Sequence, residues 1–143
     1  MGRSRGGLST KIHVLCGSES DAVDIRITAG QAGDAPVGEE MIDAIDTCEG
    51  IAQAAMDKAY DSNAIRAKLV AKSIDPVIPP KANRLESIVY DKEQYKQRNK
   101  VERLFNKMKQ FRRIATRYEK LKAMFRGFVT LALIVIMLRS TIL

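Results

Sequence analysis

Apolar and polar positions alternate in short stretches through the first third of the chain. Thr10-Lys-Ile-His-Val-Leu15 is rich in β-branched residues, and Gly17-Ser-Glu-Ser-Asp21 behind it is turn chemistry. Asp24-Ile-Arg-Ile-Thr28 alternates with period two until Ala29-Gly30 stops it, so the two stretches predict a hairpin. Asp34-Ala-Pro36 then opens a helix, with Asp34 as its N-cap, Pro36 in its first turn and Glu39 and Glu40 complementing its dipole. Met41, Ile42 and Ile45 supply the apolar face, and Gly50 ends the segment. Ile51 to Met56 is a small-residue run of the kind found in buried strands, and it delivers Asp57 at its C-terminal end.

Asp61-Ser-Asn63 begins a second helix, whose Ile65, Leu69 and Val70 fall on one face. Ser73 to Pro80 reads as a short strand closed by two prolines, and Lys81 to Asp91 as loop. A long basic helix is predicted from Lys92 to Phe111, and an apolar helix completes the chain. The order β-β-α-β-α-β-α-α predicts a mixed α/β fold. We expect one domain over residues 1–143, with a strand and helix core at 10–80 and a helical region at 92–139.

The last helix raises a second possibility. Phe128 to Leu138 reads F-V-T-L-A-L-I-V-I-M-L, leaving 12 residues between Arg126 and Arg139. A spanning helix needs about 20 apolar residues, whereas runs of about 10 to 14 more often lie in a core. The expectation is a core helix, with a membrane anchor as the alternative.

Composition adds little until it is resolved along the chain. The 143 residues are 45% hydrophobic and 29% charged, a globular profile. The formal net charge is +7, but Lys81 to Arg126 holds 15 Lys/Arg against 5 Asp/Glu, a surplus of +10. Such a segment faces a polyanion such as DNA or forms a solvated helix face, and charge alone does not separate the two. Cys16 and Cys48 are scattered and no histidines cluster, which argues against zinc and fits buried thiols in a reducing compartment. The N-terminal Met1-Gly-Arg-Ser-Arg-Gly-Gly lacks an apolar stretch of the secretory kind. His13, a lone strand histidine, reads as structural.

Two elements carry candidate chemistry. Asp57 ends a strand, the usual flank of a ligand crevice in open α/β sheets, although caps and turns use aspartate there too. Tyr95, Arg98, Glu102 and Lys109 are spaced by 3, 4 and 7, so a continuous helix would place them on one face. Arg98 and Lys109 would then flank one carboxylate, which suits an oxygen-ligated metal near phosphates. An ordinary Arg98–Glu102 pair explains the spacing equally well.

The pattern Y-x2-R-x3-E-x6-K at Tyr95, Arg98, Glu102 and Lys109 resembles the signature around the catalytic glutamate of DDE insertion-sequence transposases. Gly2 to His13, Thr28-Ala-Gly-Gln31, Asp57-Lys-Ala-Tyr-Asp61, Pro76-Val-Ile-Pro-Pro80, Arg103-Leu-Phe-Asn106 and Gln110 to Lys120 are similar to the same group, insertion-sequence family five and its relatives, in family order. The resemblance implies an RNase H-like mixed sheet with flanking helices. It makes Asp57 the second aspartate and Glu102 the glutamate of a carboxylate triad holding two Mg²⁺ or Mn²⁺ ions for DNA cleavage and strand transfer. Tyr95, Arg98 and Lys109 would bind DNA phosphate.

The family's first catalytic aspartate lies on a strand upstream of the G-R-S-R-G-G segment and has no counterpart here. Asp21 and Asp24 fall downstream of its place, and the family often has glycine where Ala59 stands. The expectation is therefore an incomplete fold, first strand missing, from a second reading frame or a truncated pseudogene. Such a chain would be inactive alone and would partner the upstream segment, transposon terminal repeats and further copies in an oligomeric complex, in the bacterial cytoplasm near the nucleoid. A non-catalytic DNA-binding regulator is the alternative that the basic segment supports.

Overall fold

The computed structural model describes residues 2–4, 7–45 and 50–142. Arg5, Gly6 and Cys48 lie outside them. The strands are β1 (Gly2–Ser4), β2 (Gly7–Cys16), β3 (Ala22–Ala29), β4 (Gln53–Ala55) and β5 (Asp75–Val77). The helices are α1 (Asp34–Asp43), α2 (Asn63–Ala71), α3 (Lys92–Tyr95), α4 (Asn99–Lys109), α5 (Arg112–Ala115) and α6 (Lys122–Ile142). The fold is mixed α/β. Its packing forms two compact units, residues 1–32 with 99–143 and residues 33–98.

The expected hairpin stands at the centre of the first unit. Strands β1, β2 and β3 form an antiparallel sheet in that order, and Ile12 faces Ile27 as Val14 faces Ile25. Those pairs put one apolar face on the sheet, as a two-residue period requires. Leu104 and Met108 of α4 and Phe125, Val129, Leu133 and Ile136 of α6 join Ile25 and Ile27 in a single buried cluster. Gly30 follows β3 so closely against β2 that a Cβ there would overlap the Ser9 hydroxyl, which explains glycine at that position. Buried His13 bonds to the Thr28 hydroxyl through Nε2 at 2.9 Å, the structural role expected of it.

In the second unit β4 and β5 form a two-stranded parallel sheet. Ile42, Ile65, Leu69, Ile74 and Ile78 make its core, and burying each such side chain contributes about 1.5–3 kcal/mol. Ser62 caps α2 by accepting from the Ile65 N–H at 3.1 Å. The helix ends with Ser73 at φ 60°, where Ser73 N donates to Val70 O and Ile74 N to Leu69 O, both at 2.9 Å. That turn aims the chain back along the sheet as β5.

Four local expectations need correction. Gly33, not Asp34, is the N-cap of α1, and Asp34 is its first helical residue. The strand before Asp57 is only partly buried, because its sheet has two strands among the described residues. Val70 is exposed, one step off the face that Ile65 and Leu69 bury. The long basic helix is interrupted: α3 passes into a 3-10 turn at Lys96–Arg98, and α4 begins at Asn99. The regular 3.6-residue period therefore does not run from Tyr95 to Lys109.

Helix α6 is longer than its apolar run suggested. It has 21 residues, long and apolar enough by length and composition to cross a membrane. Phe125, Val129, Leu133 and Ile136 on one face pack into the first unit's core. The outer face is apolar as well.

Candidate functional site

Asp57 stands two residues beyond the end of β4, at the N-cap of a 3-10 turn spanning Lys58–Tyr60. Its Oδ1 accepts from the Ala59 N–H at 3.0 Å, which fixes the carboxylate to the turn it begins. The other oxygen, Oδ2, lies 3.7 Å from Arg98 Nη1, and the Asp57 side chain keeps 44% of its surface exposed. Half-exposed, with one oxygen held by backbone and the other facing a guanidinium, this carboxylate is oriented but reachable.

The 3-10 turn at Lys96–Arg98 presents Arg98 to Asp57. Asp91 caps α3, accepting from the N–H groups of Glu93 and Gln94. Arg98 also lies over the Tyr95 ring, 5.7 Å from its centroid, and Tyr90 meets Tyr95 edge-on at 5.6 Å. Burial pushes the Tyr95 hydroxyl above its ordinary value; the Arg98 charge opposes that rise and the Asp57 charge adds to it. Asp57, Tyr95 and Arg98 thus form one cluster within the second unit.

Sequence reasoning missed the group that anchors this cluster. Asp61 ends the same 3-10 turn, its N–H donating to Lys58 O at 3.1 Å, and its side chain is completely buried. Asp61 Oδ1 accepts from Arg66 Nε at 2.9 Å, Arg66 Nη2 at 2.8 Å and Arg84 Nη1 at 3.1 Å, while Oδ2 accepts from the Lys81 N–H at 2.9 Å. Arg66 Nη2 also donates to Ile78 O at 2.8 Å. Burial alone would raise the Asp61 carboxyl, but the Lys81 N–H and the Arg66 and Arg84 guanidiniums outweigh it and hold the group below the usual carboxylate range. One carboxylate therefore ties together the turn carrying Asp57, helix α2 and the loop after β5. Its place in the Asp57-Lys-Ala-Tyr-Asp61 motif was the available signal.

Tyr60 fixes the turn from its other side. Its ring lies against Gly38 of α1 so closely that a Cβ there would approach Cδ1 to 2.6 Å. Burial, with help from the Asp34 and Asp57 charges, pushes its hydroxyl up to about 12.

Glu102 and Lys109 belong to α4 in the first unit, and both are exposed. Several cations of the basic segment are committed internally. Arg103 and Lys107 bond to Glu19 at 2.9 and 3.2 Å, holding its carboxyl below the usual range. Arg113 pairs with Glu119 at 2.7 Å and lies 4.6 Å from the Phe128 ring centroid. Arg117 stacks on Phe125 at 4.8 Å and bonds to the Thr10 hydroxyl and the Glu119 carbonyl. Lys100, Lys109, Arg112, Lys120, Lys122 and Arg126 remain exposed, with no ion pair among the described residues.

Asp57 and Glu102 suit a divalent cation in kind, both being accessible oxygen donors. In number they fall short, since no group of three His, Cys, Asp or Glu side chains that could hold a metal occurs among the described residues. Cys16 is half-buried, its thiol raised by burial first and by the Asp21 charge second, and offers no ligand set.

A strand-end carboxylate facing the arginine of the Y-x2-R-x3-E-x6-K pattern brings two of the sequence motifs together, and comparison names the family. The profile of the Transposase DDE domain matches residues 2–138, and the chain belongs to that family. It is 34% identical over 134 residues to a Brucella ovis protein whose name ascribes it to insertion sequence element IS6501 as a transposase. That alignment covers 92% of this chain and 100% of the relative. No solved structure matches. The chain's part is in DNA transposition, and its family works with divalent metal.

Proposed function

We propose that this chain supplies the second and third carboxylates, Asp57 and Glu102, of a transposase centre that cleaves and joins DNA. The observation that carries the reading is the 3.7 Å approach of Arg98 to Asp57. It unites two family signatures that lie far apart in sequence. Mg²⁺ or Mn²⁺ bound by these carboxylates would activate the attacking hydroxyl and stabilise the leaving oxygen at a phosphodiester. Arg98, steadied by stacking on Tyr95, offsets charge on a phosphate, and Lys109 adds a second phosphate contact.

The fold that this chemistry uses is RNase H-like. β4 has a partner on only one edge, and residues 10–16 of β2 pair with β3 alone among the described residues. An additional strand bearing the family's first aspartate would find backbone donors and acceptors at either edge. Turnover depends on that aspartate together with Asp57 and Glu102.

The test is cleavage of terminal-repeat DNA in Mg²⁺ by this chain, alone and joined to an upstream segment carrying an aspartate-bearing strand. The joined protein turns over and the chain alone does not. Asp57→Asn or Glu102→Gln lowers turnover of the joined protein by about a thousandfold or more, the scale of losing a key electrostatic group. Full activity in Glu102→Gln overturns the assignment.

A regulatory reading has its own support in the exposed cations of α4, α5 and the start of α6. In that reading the chain occupies transposon ends without catalysis.

A further inference from the structure

Charge divides by fold unit. Residues 33–98 hold 9 Lys/Arg against 12 Asp/Glu, a net −3, so the second unit has no general attraction for a polyanion. Six of its nine cations are committed internally: Arg66 and Arg84 to Asp61, Lys68 to Asp43, Lys72 to the Ile45 carbonyl, Lys96 to Glu93 and Arg98 to Asp57. Lys58, Lys81 and Lys92 make no ion pair among the described residues. Of these three, only Lys58 adjoins Asp57 in the chain.

The backbone under Lys58 is held from several directions. Tyr60 N donates to Asp57 O at 2.9 Å, and Asp61 N donates to Lys58 O at 3.1 Å. The Tyr60 ring packs on Gly38, and the buried Asp61 carboxylate is locked among Arg66, Lys81 and Arg84. The Lys58 side chain itself is exposed. Its Cα lies one peptide, about 3.8 Å, from that of Asp57, and a four-carbon stem carries the ammonium well beyond that distance. A fixed root and a free head keep one positive charge within reach of whatever meets the Asp57 carboxylate.

We propose that Lys58 binds a DNA backbone phosphate beside Asp57, as a second cation there in addition to Arg98. The inference rests on the reading of Asp57 as part of a DNA-cleaving centre. Arg98 faces the Asp57 carboxylate at 3.7 Å, so that pair by itself is close to neutral. Lys58 makes the strand end locally positive within a unit that is acidic in total. The two cations differ in what they can do. The Arg98 guanidinium is a planar fork lying over the Tyr95 ring, which gives it one direction. The Lys58 ammonium is a compact charge with three rotatable donors, able to stay on a phosphate while the bonds around it rearrange.

Fluorescence anisotropy of the full chain on a labelled terminal-repeat duplex, repeated across a range of KCl concentrations, tests it. Lys58→Gln should flatten the slope of log affinity against log salt by about 0.9 and weaken binding about eightfold at about 0.1 M salt, the counterion release of one contact. Lys58→Arg should restore both, and the urea midpoints of the two variants should match wild type. Lys72→Gln removes the same charge from the same unit and should leave the slope unchanged. Methylphosphonates, which neutralise single phosphates of the duplex, locate the contact. At one position beside the bond to be cut, the substitution should cost wild type as much as Lys58→Gln does and cost that variant nothing. No measurable binding, an unchanged slope in Lys58→Gln, an equal drop in Lys72→Gln, or a contact mapping only to phosphates away from the repeat's end would overturn the proposal. Every readout is binding, so failure of this contact and failure of the catalytic assignment in the cleavage test are separate results.

Discussion

Replacing Asp61 by asparagine changes one atom's worth of shape and removes one buried charge. In the native chain Oδ1 receives three N–H groups from Arg66 and Arg84, and Oδ2 receives the Lys81 N–H. An asparagine oxygen can face the arginines or the Lys81 N–H but not both, and its NH2 then confronts donors with a donor. Arg66 and Arg84, at 13% and 15% exposure, lose their counter-charge in either orientation. Breaking a buried pair from one side costs about 3–5 kcal/mol, and the retained amide oxygen argues for the lower end, about 3 kcal/mol. Against a total stability of about 5–15 kcal/mol that is a large share.

Urea denaturation at neutral pH, followed by circular dichroism, measures the loss. The pH dependence gives an independent check. The folded Asp61 carboxyl lies below its unfolded value of about 3.9, so its contribution is complete above that pH and disappears as pH falls through the folded value. The difference between wild type and Asp61→Asn should stay constant at neutral pH and close in acid. A loss under about 1 kcal/mol, or a gap unchanged in acid, refutes the role assigned to this carboxylate.

Two further outcomes follow from contacts on either side of the site. Gly38→Ala drives a methyl to within 2.6 Å of Tyr60 Cδ1, and overpacking of this kind costs about 1–3 kcal/mol, read as a lower urea midpoint. In the joined protein the same change should also reduce turnover, because the ring moves with the turn that holds Asp57. Among the cations, Arg117→Ala should lower stability by about 1–2 kcal/mol through its lost stacking on Phe125 while leaving DNA affinity near wild type. Lys109→Ala should do the reverse, reducing the slope of log affinity against log salt by about 0.9. Equal salt slopes in the two variants would show that the division between structural and DNA-facing cations is wrong.

Much of this protein was legible in short windows of sequence. The β2–β3 hairpin follows from two-residue alternation bounded by turn residues, the α2 core from the spacing of Ile65 and Leu69, and the position of Asp57 from the strand that ends before it. These are properties of neighbours along the chain, set by backbone period and local hydrogen bonding. Membership of the DDE family rests on motifs in order, which is also a linear property. What the linear pattern left open are choices made between distant residues. A helical reading of Lys92–Phe111 is locally sound, yet the chain narrows to a 3-10 turn at Lys96–Arg98, where Arg98 reaches Asp57. Asp61 looks like an ordinary helix-start residue until Arg66, Lys81 and Arg84 are brought round it. Charge counts could not say which cations are spoken for, because Arg103, Arg113 and Arg117 find their partners only once the sheet and α6 are packed. The apolar run of α6 fixes that the helix will bury itself. Only the packed core decides which side it buries, since a helix hydrophobic on every face carries no preference of its own.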